Sequence, residues 1–289
     1  MVFLNGKFVP IDEARVSVLD RGFIFGDGVY ELVPVYSRVP FRLDEHLARL
    51  ERSLAEARIR NPHSRAQWRK IIYQLIDAQP FDDQGVYFQV TRGVAKRDHA
   101  FPKNAEPTVF MMSNPLVNPP QPQVEGGAAA VSAQDNRWLR CDIKSISLIG
   151  NVLLRQLSAE ADAAETILFR DGRLTEASAS NVFIVARGLI LSPPKSSLIL
   201  PGITYDVVAE LARASAMPLE FREVTDAEVR AADEIWVTSS SKEVLAIVSL
   251  DGRKVGEGRP GPVFRRMYAL YQQFKQKVMR AGKREALSA

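Results

Sequence analysis

An amine withdrawn from water gives up its proton readily and becomes a nucleophile toward carbonyl carbon. Lys144 is the candidate for that chemistry in this chain. It stands in RWLRCDIKSISLIGNVLL, after a turn at Cys141 and Asp142. Beyond it Ile146, Leu148, Ile149, Val152, Leu153 and Leu157 recur at helical spacing. Read alone, it is more simply a solvated loop lysine, and its weight comes from groups elsewhere in the chain. Glu176 closes the second strand of a hairpin and enters a turn of small residues, so its carboxylate can hold a proton on a ring nitrogen; the plain alternative is a surface glutamate at a strand end. Gly202, Ile203 and Thr204 open a helix, whose free N–H groups and dipole favour an anion. Ser239 and Ser240 can add hydroxyls, and Arg49 a permanent positive charge. Helix caps use the same residue types, and a helical arginine is usually solvated. Tyr30, at the head of a strand, can bond a cofactor or a substrate carboxylate, or simply sit in a core.

An amine for an aldehyde, a carboxylate for a pyridine nitrogen, a phosphate site and a substrate grip are together what pyridoxal 5′-phosphate (PLP) asks of a protein. Other constellations fail. His46, His63 and His99 lack zinc spacing and cysteine partners, so no metal is expected. Cys141 suits a small buried hydrophobe better than a nucleophile. No G-x-S-x-G or Walker loop is present.

The elements that must position these groups follow from pattern. MVFLNGKFVP reads as a hairpin at Asn5-Gly6 rather than as a signal peptide. Glycines flanking Asp27 form a bend that feeds a strand from Val29 to Tyr36, with Pro34 marking an edge or bulge. Asp44 is the expected cap of a helix with Leu47, Leu50, Leu54 and Ala57 inward and Arg49 off that face. A second helix follows Ser64, with Gln67 completing a capping box. The strand GVYFQVTRG leads into a polar loop carrying Arg97 and His99, then into a strand from Thr108 to Met112. NPLVNPPQPQ is a Pro-rich linker, which sets a boundary between domains 1–118 and 119–289. The second half reads as strands at 127–133, a hairpin at Asp171-Gly172, further strands through LILS, and a helix after LPGIT. A short helix boxed by Thr225 and Glu228 comes next, then a strand ending in Ser239 to Ser241. The last helix should turn Val263, Met267, Leu270, Phe274 and Val278 inward, and Lys275, Lys277, Arg280, Lys283 and Arg284 to solvent. A mixed α/β domain followed by a strand-rich one is the expected fold class.

With 46% hydrophobic and 25% charged residues among 289, the composition is that of a soluble globular protein, and no apolar run is long enough to span a membrane. A net charge of +4 without a basic patch interleaved with aromatics argues against nucleic acid. The lone cysteine excludes an internal disulfide and points to a reducing cytoplasm.

DRGFIFGDGVYE, EHLARL, VYFQVTRG with RDHAFP, RWLRCDIKS, LTEASASNVF, LPGIT and WVTSSS together resemble the class IV, fold-type IV PLP-dependent aminotransferases, the D-amino-acid aminotransferases most closely. The resemblance runs nearly end to end. It implies an α/β (α+β) fold of two domains, the larger C-terminal one a strand-rich pseudo-barrel. It implies that Lys144 bonds the PLP aldehyde and carries the substrate proton, and that Glu176 pairs with the ring nitrogen. Arg49, Ile203, Thr204 and Ser240 fall on phosphate positions. Tyr30, Arg97 and His99 fall on positions that grip the substrate carboxylate, the last two lent by the partner subunit of a homodimer. The implied reaction is ping-pong transfer of an amino group from a D-amino acid such as D-alanine to a 2-oxo acid such as pyruvate or 2-oxoglutarate. A branched-chain L-amino-acid aminotransferase or an aminodeoxychorismate lyase would share the lysine and glutamate; the R-x-H pair favours the D-specific reading. A non-catalytic scaffold would have no use for Lys144, Glu176 and the phosphate turns together. Two positions depart from the pattern: Ala179 stands where serine occurs, and Ser240 where threonine is common.

Overall fold

The computed structural model describes residues 1–282, and its contacts divide the chain into two units. The first comprises Met1–Leu116, Ile143–Leu148 and, among the described residues, 278–282; the second comprises Val117–Asp142 and Ile149–Lys277. A single cut near residue 119 falls close to the first of these boundaries. It would, however, assign Lys144 to the second half, whereas the segment Ile143–Leu148 makes its contacts with the first.

The first unit opens with β1 (Val2–Leu4) and β2 (Lys7–Val9), joined by Asn5 and Gly6, both at positive φ as a tight hairpin demands. The bend before the next strand contains a short helix that the sequence pattern did not announce, α1 (Arg21–Phe25), capped by Asp20 and closed by Gly26 in the left-handed region. Then come β3 (Gly28–Tyr36), β4 (Val39–Pro40), α2 (Leu43–Glu56), α3 (Arg65–Asp77), β5 (Gln84–Thr91) and β6 (Thr108–Pro115). The six strands form one antiparallel sheet in the order β2-β1-β6-β5-β3-β4. The period-two alternation of strands sends Val29, Val33 and Val35 of β3 and Val86, Phe88 and Val90 of β5 into a core with Leu47, Leu50 and Leu54 of α2 and Trp68, Ile72 and Ile76 of α3. Glu31 shares the inward parity of β3, while Tyr30, paired across the ladder with Gln89, points the other way.

Two expectations for α2 are corrected. Arg42, in the left-handed region, occupies the N-cap without a side-chain bond, and Asp44 lies in the first turn, where its charge still suits the helix dipole. Arg49, expected off the buried face, is buried with His46 and Ser53, because Glu31 waits for it in the sheet. The Ser64–Gln67 capping box of α3 is present as read.

The second unit begins with α4 (Gln121–Gly126), so part of the expected linker is helical, with Pro122 tolerated in the first turn. It continues with β7 (Ala128–Gln134), α5 (Ile149–Glu160), β8 (Glu165–Arg170), β9 (Arg173–Ala177), β10 (Asn181–Ala186), β11 (Leu189–Ser192), α6 (Ile203–Ala214) and β12 (Leu219–Phe221). α7 (Asp226–Arg230), β13 (Glu234–Ser239), β14 (Glu243–Leu250), β15 (Arg253–Lys254) and α8 (Pro262–Phe274) complete it, followed by a π-helical turn over Lys275–Met279. The nine strands make a mixed sheet, β12-β11-β10-β13-β14-β7-β8-β9 with β15 on β14, curled into a half-barrel. One face carries a core of Ile167, Val182, Ile184, Ile235, Val237, Leu245 and Ile247. Phe183 and Trp236 meet Tyr205 of α6 and Phe264 of α8 at ring separations of 5.0 and 6.1 Å, which fixes both helices to β10 and β13.

The buried stripe of α8 is Phe264, Met267 and Tyr271, so Val263 and Leu270 are only half-buried and Val278 is exposed. The basic end is not simply solvated. Lys275 is buried and bonds Glu243 at 2.5 Å, and Arg280 pairs with Asp83; Lys283 and Arg284 lie outside the described residues.

Candidate active site

In the first unit, Ile143–Leu148 lies as an extended strip along the part of β3 that β4 leaves open. The Tyr30 N–H donates to the Lys144 carbonyl at 2.8 Å, the Ile146 N–H donates to the Gly28 carbonyl at 3.0 Å, and Val29 and Ser145 form an antiparallel bridge. Gly28 is required for this approach: a Cβ there would stand 2.7 Å from the Val90 carbonyl oxygen and 2.8 Å from Ile146 Cδ1. Strand alternation buries Ile143 in the core and turns Lys144 to the other side. Its Nζ lies 4.2 Å from the centroid of the Tyr30 ring, on the sheet face where Tyr30 and Tyr87 pack at 5.6 Å. Tyr30 and Lys144 are thus brought together by backbone pairing as well as by side-chain contact.

Arg49 is held within the core. Its Nε and Nη2 donate to the two oxygens of Glu31 at 2.7 and 2.8 Å, and His46 Nδ1 lies 2.8 Å from Glu31 Oε2. Burial pushes the Glu31 carboxyl up, but the charge and hydrogen bonds of Arg49, with His46, outweigh it and hold Glu31 far below the usual range. Burial holds His46 below its ordinary value, and its Nε2 is buried without a hydrogen-bond partner among the described residues. Glu31 and His46 escaped the sequence reading. The available signal was an acid at an inward position of a valine strand, with His46 and Arg49 three apart on one helix.

Arg97 and His99 are exposed, and both pack on Phe25: the Arg97 guanidinium carbon is 5.2 Å and the His99 ring 5.5 Å from that ring's centroid. No hydrogen bond or ring contact joins either to Tyr30 or Lys144 of the same chain among the described residues.

In the second unit, Glu176 is 95% buried near the end of β9, not on the surface. Its Oε1 accepts from Arg137 Nη1 at 2.7 Å; its Oε2 accepts from the Leu200 N–H at 3.0 Å and from Asn181 Nδ2 at 3.2 Å. Burial raises the carboxyl to about 7 despite the opposing charge of Arg137. Arg137 was missed from sequence. Its Nε and Nη2 grip Asp135 at 2.9 Å, and Asp135 also accepts from Thr175 Oγ1 at 2.8 Å, so the guanidinium that reaches Glu176 is fixed on both sides. A carboxylate offers about four acceptor positions. The three donors on Glu176 leave room on Oε1 for one more, as a ring nitrogen bearing a proton requires.

Ile203 and Thr204 form the first turn of α6, whose N-cap, Gly202, supplies no side-chain bond to the free N–H groups. A Cβ at Gly202 would stand 2.1 Å from Asn181 Oδ1. The helix start is therefore packed directly on the residue that steadies Glu176. Asn181 pairs with Thr238 across β10 and β13, and Ser240 lies half-buried in the turn just beyond. Thr238 Oγ1 is buried without a hydrogen-bond partner among the described residues. Ala179 is exposed, between Ser178 and Ser180, which both donate to Glu165.

Residues 28–250 match the family model described as amino-transferase class IV. The chain is 40% identical to a D-alanine aminotransferase of Bacillus licheniformis over 271 residues, 94% of this chain and 95% of that one. It is 37% identical to a D-alanine aminotransferase of Staphylococcus haemolyticus over 92% of this chain and 94% of that one. Among solved structures, a branched-chain amino acid aminotransferase of T.th. with pyridoxamine 5′-phosphate superposes with a TM-score of 0.89 at 25% identity, over 94% of this chain and 92% of that one.

Proposed function

Given that this chain belongs to the class IV aminotransferases, we propose that it is a D-amino-acid:2-oxo-acid aminotransferase that works with PLP in a ping-pong reaction. The observation that carries this reading is half-buried Lys144, whose Nζ lies 4.2 Å from the centroid of the Tyr30 ring where its segment pairs with β3. The D-alanine aminotransferase relatives, at up to 40% identity over nearly the whole chain, favour the D-enantiomer. The branched-chain enzyme that shares the fold is far less similar in sequence.

PLP supplies an aldehyde for the amino group and a ring that draws electrons from the substrate Cα. Lys144 Nζ would hold the aldehyde and would be the base that moves a proton at the substrate Cα. Glu176 would hold a proton on the ring nitrogen, and Arg137, which donates to it, keeps that carboxylate oriented. The free N–H groups at Ile203 and Thr204, the Ser240 hydroxyl and the Arg49 guanidinium would hold the phosphate. Tyr30, Arg97 and His99 bind the substrate carboxylate, the last two reaching the site from a second copy of the chain.

A homodimer accounts for surfaces that a monomer would leave wet. In the second unit, α5 turns Ile149, Val152, Leu153 and Leu157 outward, 44 to 72% exposed, and buries only Leu154 and Ser158. In the first, Val16, Val18, Leu19 and Phe23 are likewise exposed. The substrates are small D-amino acids and 2-oxo acids. No described helix is long and apolar enough to cross a membrane, and the setting we propose is the cytoplasm, which the single free cysteine suits. Steady-state transamination with 2-oxoglutarate, comparing D-alanine with L-leucine as donor, tests the proposal. Turnover of D-alanine alone is expected; preferential turnover of L-leucine would replace it by the branched-chain reading.

A further inference from the structure

The loop that carries Arg97 and His99 has no regular secondary structure, yet it is tied down from beneath. At its neck Gly93, with φ +95°, lies so close to the other end of the loop that a Cβ would stand 1.8 Å from the Glu106 carbonyl oxygen. Arg21, 96% buried at the start of α1, holds the loop through backbone and side chain together. Its N–H donates to the Gly93 carbonyl at 2.9 Å. Its Nη1 donates to the Asp98 carbonyl at 2.5 Å and the Ala100 carbonyl at 3.4 Å, those of the residues on either side of His99. Its guanidinium carbon lies 4.8 Å from the Phe25 ring, the same ring on which Arg97 and His99 rest.

Arg21 is itself held by Asp27, which accepts from its Nε at 2.7 Å. Asp27 also accepts from Arg92 Nε at 2.8 Å and Nη2 at 3.0 Å. Arg92 in turn donates to the Ala57 and Arg58 carbonyls and lies 3.7 Å from the centroid of the Phe101 ring. One carboxylate therefore joins two buried arginines that hold the loop at residues 98, 100 and 101. Burying guanidinium groups to fix the backbone of an exposed loop costs free energy, and a surface loop needs no such anchoring to remain folded. It needs it when side chains at its tip must meet a ligand to within about half an ångström.

We infer that Arg21 is a positioning residue for recognition of the substrate carboxylate: through Asp27, Phe25 and the carbonyls flanking His99 it sets the places of Arg97 and His99. This rests on the carboxylate-binding reading of those two residues. The test uses the PLP-loaded enzyme and its Arg21→Met, Arg97→Ala and doubly substituted forms. Three reactants separate the effects: D-alanine; propionate, which keeps the carboxylate and lacks the amine; and ethylamine, which keeps the amine and lacks the carboxylate. Arg21→Met should lower kcat/KM for D-alanine about tenfold or more and weaken inhibition by propionate to match, as loss of a charge-assisted bond does. Its single-turnover reaction with ethylamine should keep the wild-type rate. Added to Arg97→Ala it should cost little more, because both changes disable one device. The inference is overturned if Arg21→Met leaves D-alanine and propionate unaffected while Arg97→Ala impairs both, or if it slows ethylamine as much as D-alanine. If Arg97→Ala itself changes neither carboxylate reactant, the carboxylate-binding reading fails, and the inference with it. Should Arg21→Met not fold, Arg21→Lys replaces it: one ammonium can keep the Asp27 pair but cannot also span both carbonyls, so the same contrast between propionate and ethylamine is expected.

Discussion

Glu176 shows most directly how a side chain's surroundings set its chemistry. Its folded value of about 7 is above the ordinary 4.5. The fold therefore favours the protonated form; that contribution to stability is full below about 4.5 and is lost as pH rises through about 7. A ring nitrogen that brings its own proton needs the carboxylate ionised. PLP affinity of the apoprotein is accordingly expected to rise with pH across that window and to level off above it. Glu176→Gln should lack this step. Binding titrations of both proteins across the window check it, since titration of the PLP phosphate is common to the two; equal pH dependence would remove Glu176 from the cofactor. At this scale Lys144 and Glu176 stood out in the sequence because each is a polar residue in an otherwise apolar or small-residue context. Arg137 and Glu31 did not, because their partners are 39 and 18 residues away and only the fold pairs them. Arg49 was misjudged for the same reason: helical periodicity gives the face of a residue, but not the acid in the neighbouring sheet that draws it inward.

Elements place these residues through backbone geometry that side-chain pattern only partly encodes. The capping boxes of α3 and α7 and the hairpins at Asn5-Gly6 and Asp171-Gly172 were legible because their signals are local. The strip around Lys144 was not, since its pairing with β3 joins residues more than a hundred positions apart. The outward face of α5 was also invisible, because periodicity shows an apolar stripe without saying what covers it. Gly202 gives a prediction at this level. Its φ of −71° suits any residue, so Gly202→Ala acts only through the new methyl, which meets Asn181 Oδ1 at 2.1 Å. The α6 terminus or Asn181 must shift, at a cost of about 1–3 kcal/mol in stability. PLP affinity should drop about tenfold or more, because the phosphate N–H groups and the Glu176 support move together. Thermal unfolding and PLP titration measure the two effects; wild-type affinity in the variant would separate the α6 terminus from the phosphate site.

The whole molecule is two units whose division runs through the sequence in alternation, with Ile143–Leu148 belonging to the first and its flanks to the second. A linker rich in proline marks one crossing, and nothing in composition marks the others. If Arg97 is lent across a homodimer, Lys144→Ala and Arg97→Ala should complement each other. Each mixed dimer would rebuild one site from an intact lysine and an intact partner arginine. Random mixing then gives about a quarter of wild-type activity, from parents that are each nearly inactive. Activity no greater than the parents' mean would place Arg97 with its own subunit's lysine, or outside the site. The central claim, PLP-dependent transfer from D-amino acids at Lys144, is tested most directly by a half-reaction. The PLP-loaded enzyme, mixed with D-alanine and no 2-oxo acid, should release pyruvate in a single burst equal to its content of intact Lys144 sites, lose the cofactor's yellow colour, and do neither with L-alanine. A burst with L-alanine and none with D-alanine, or an equal burst from the Lys144→Ala variant, would contradict it.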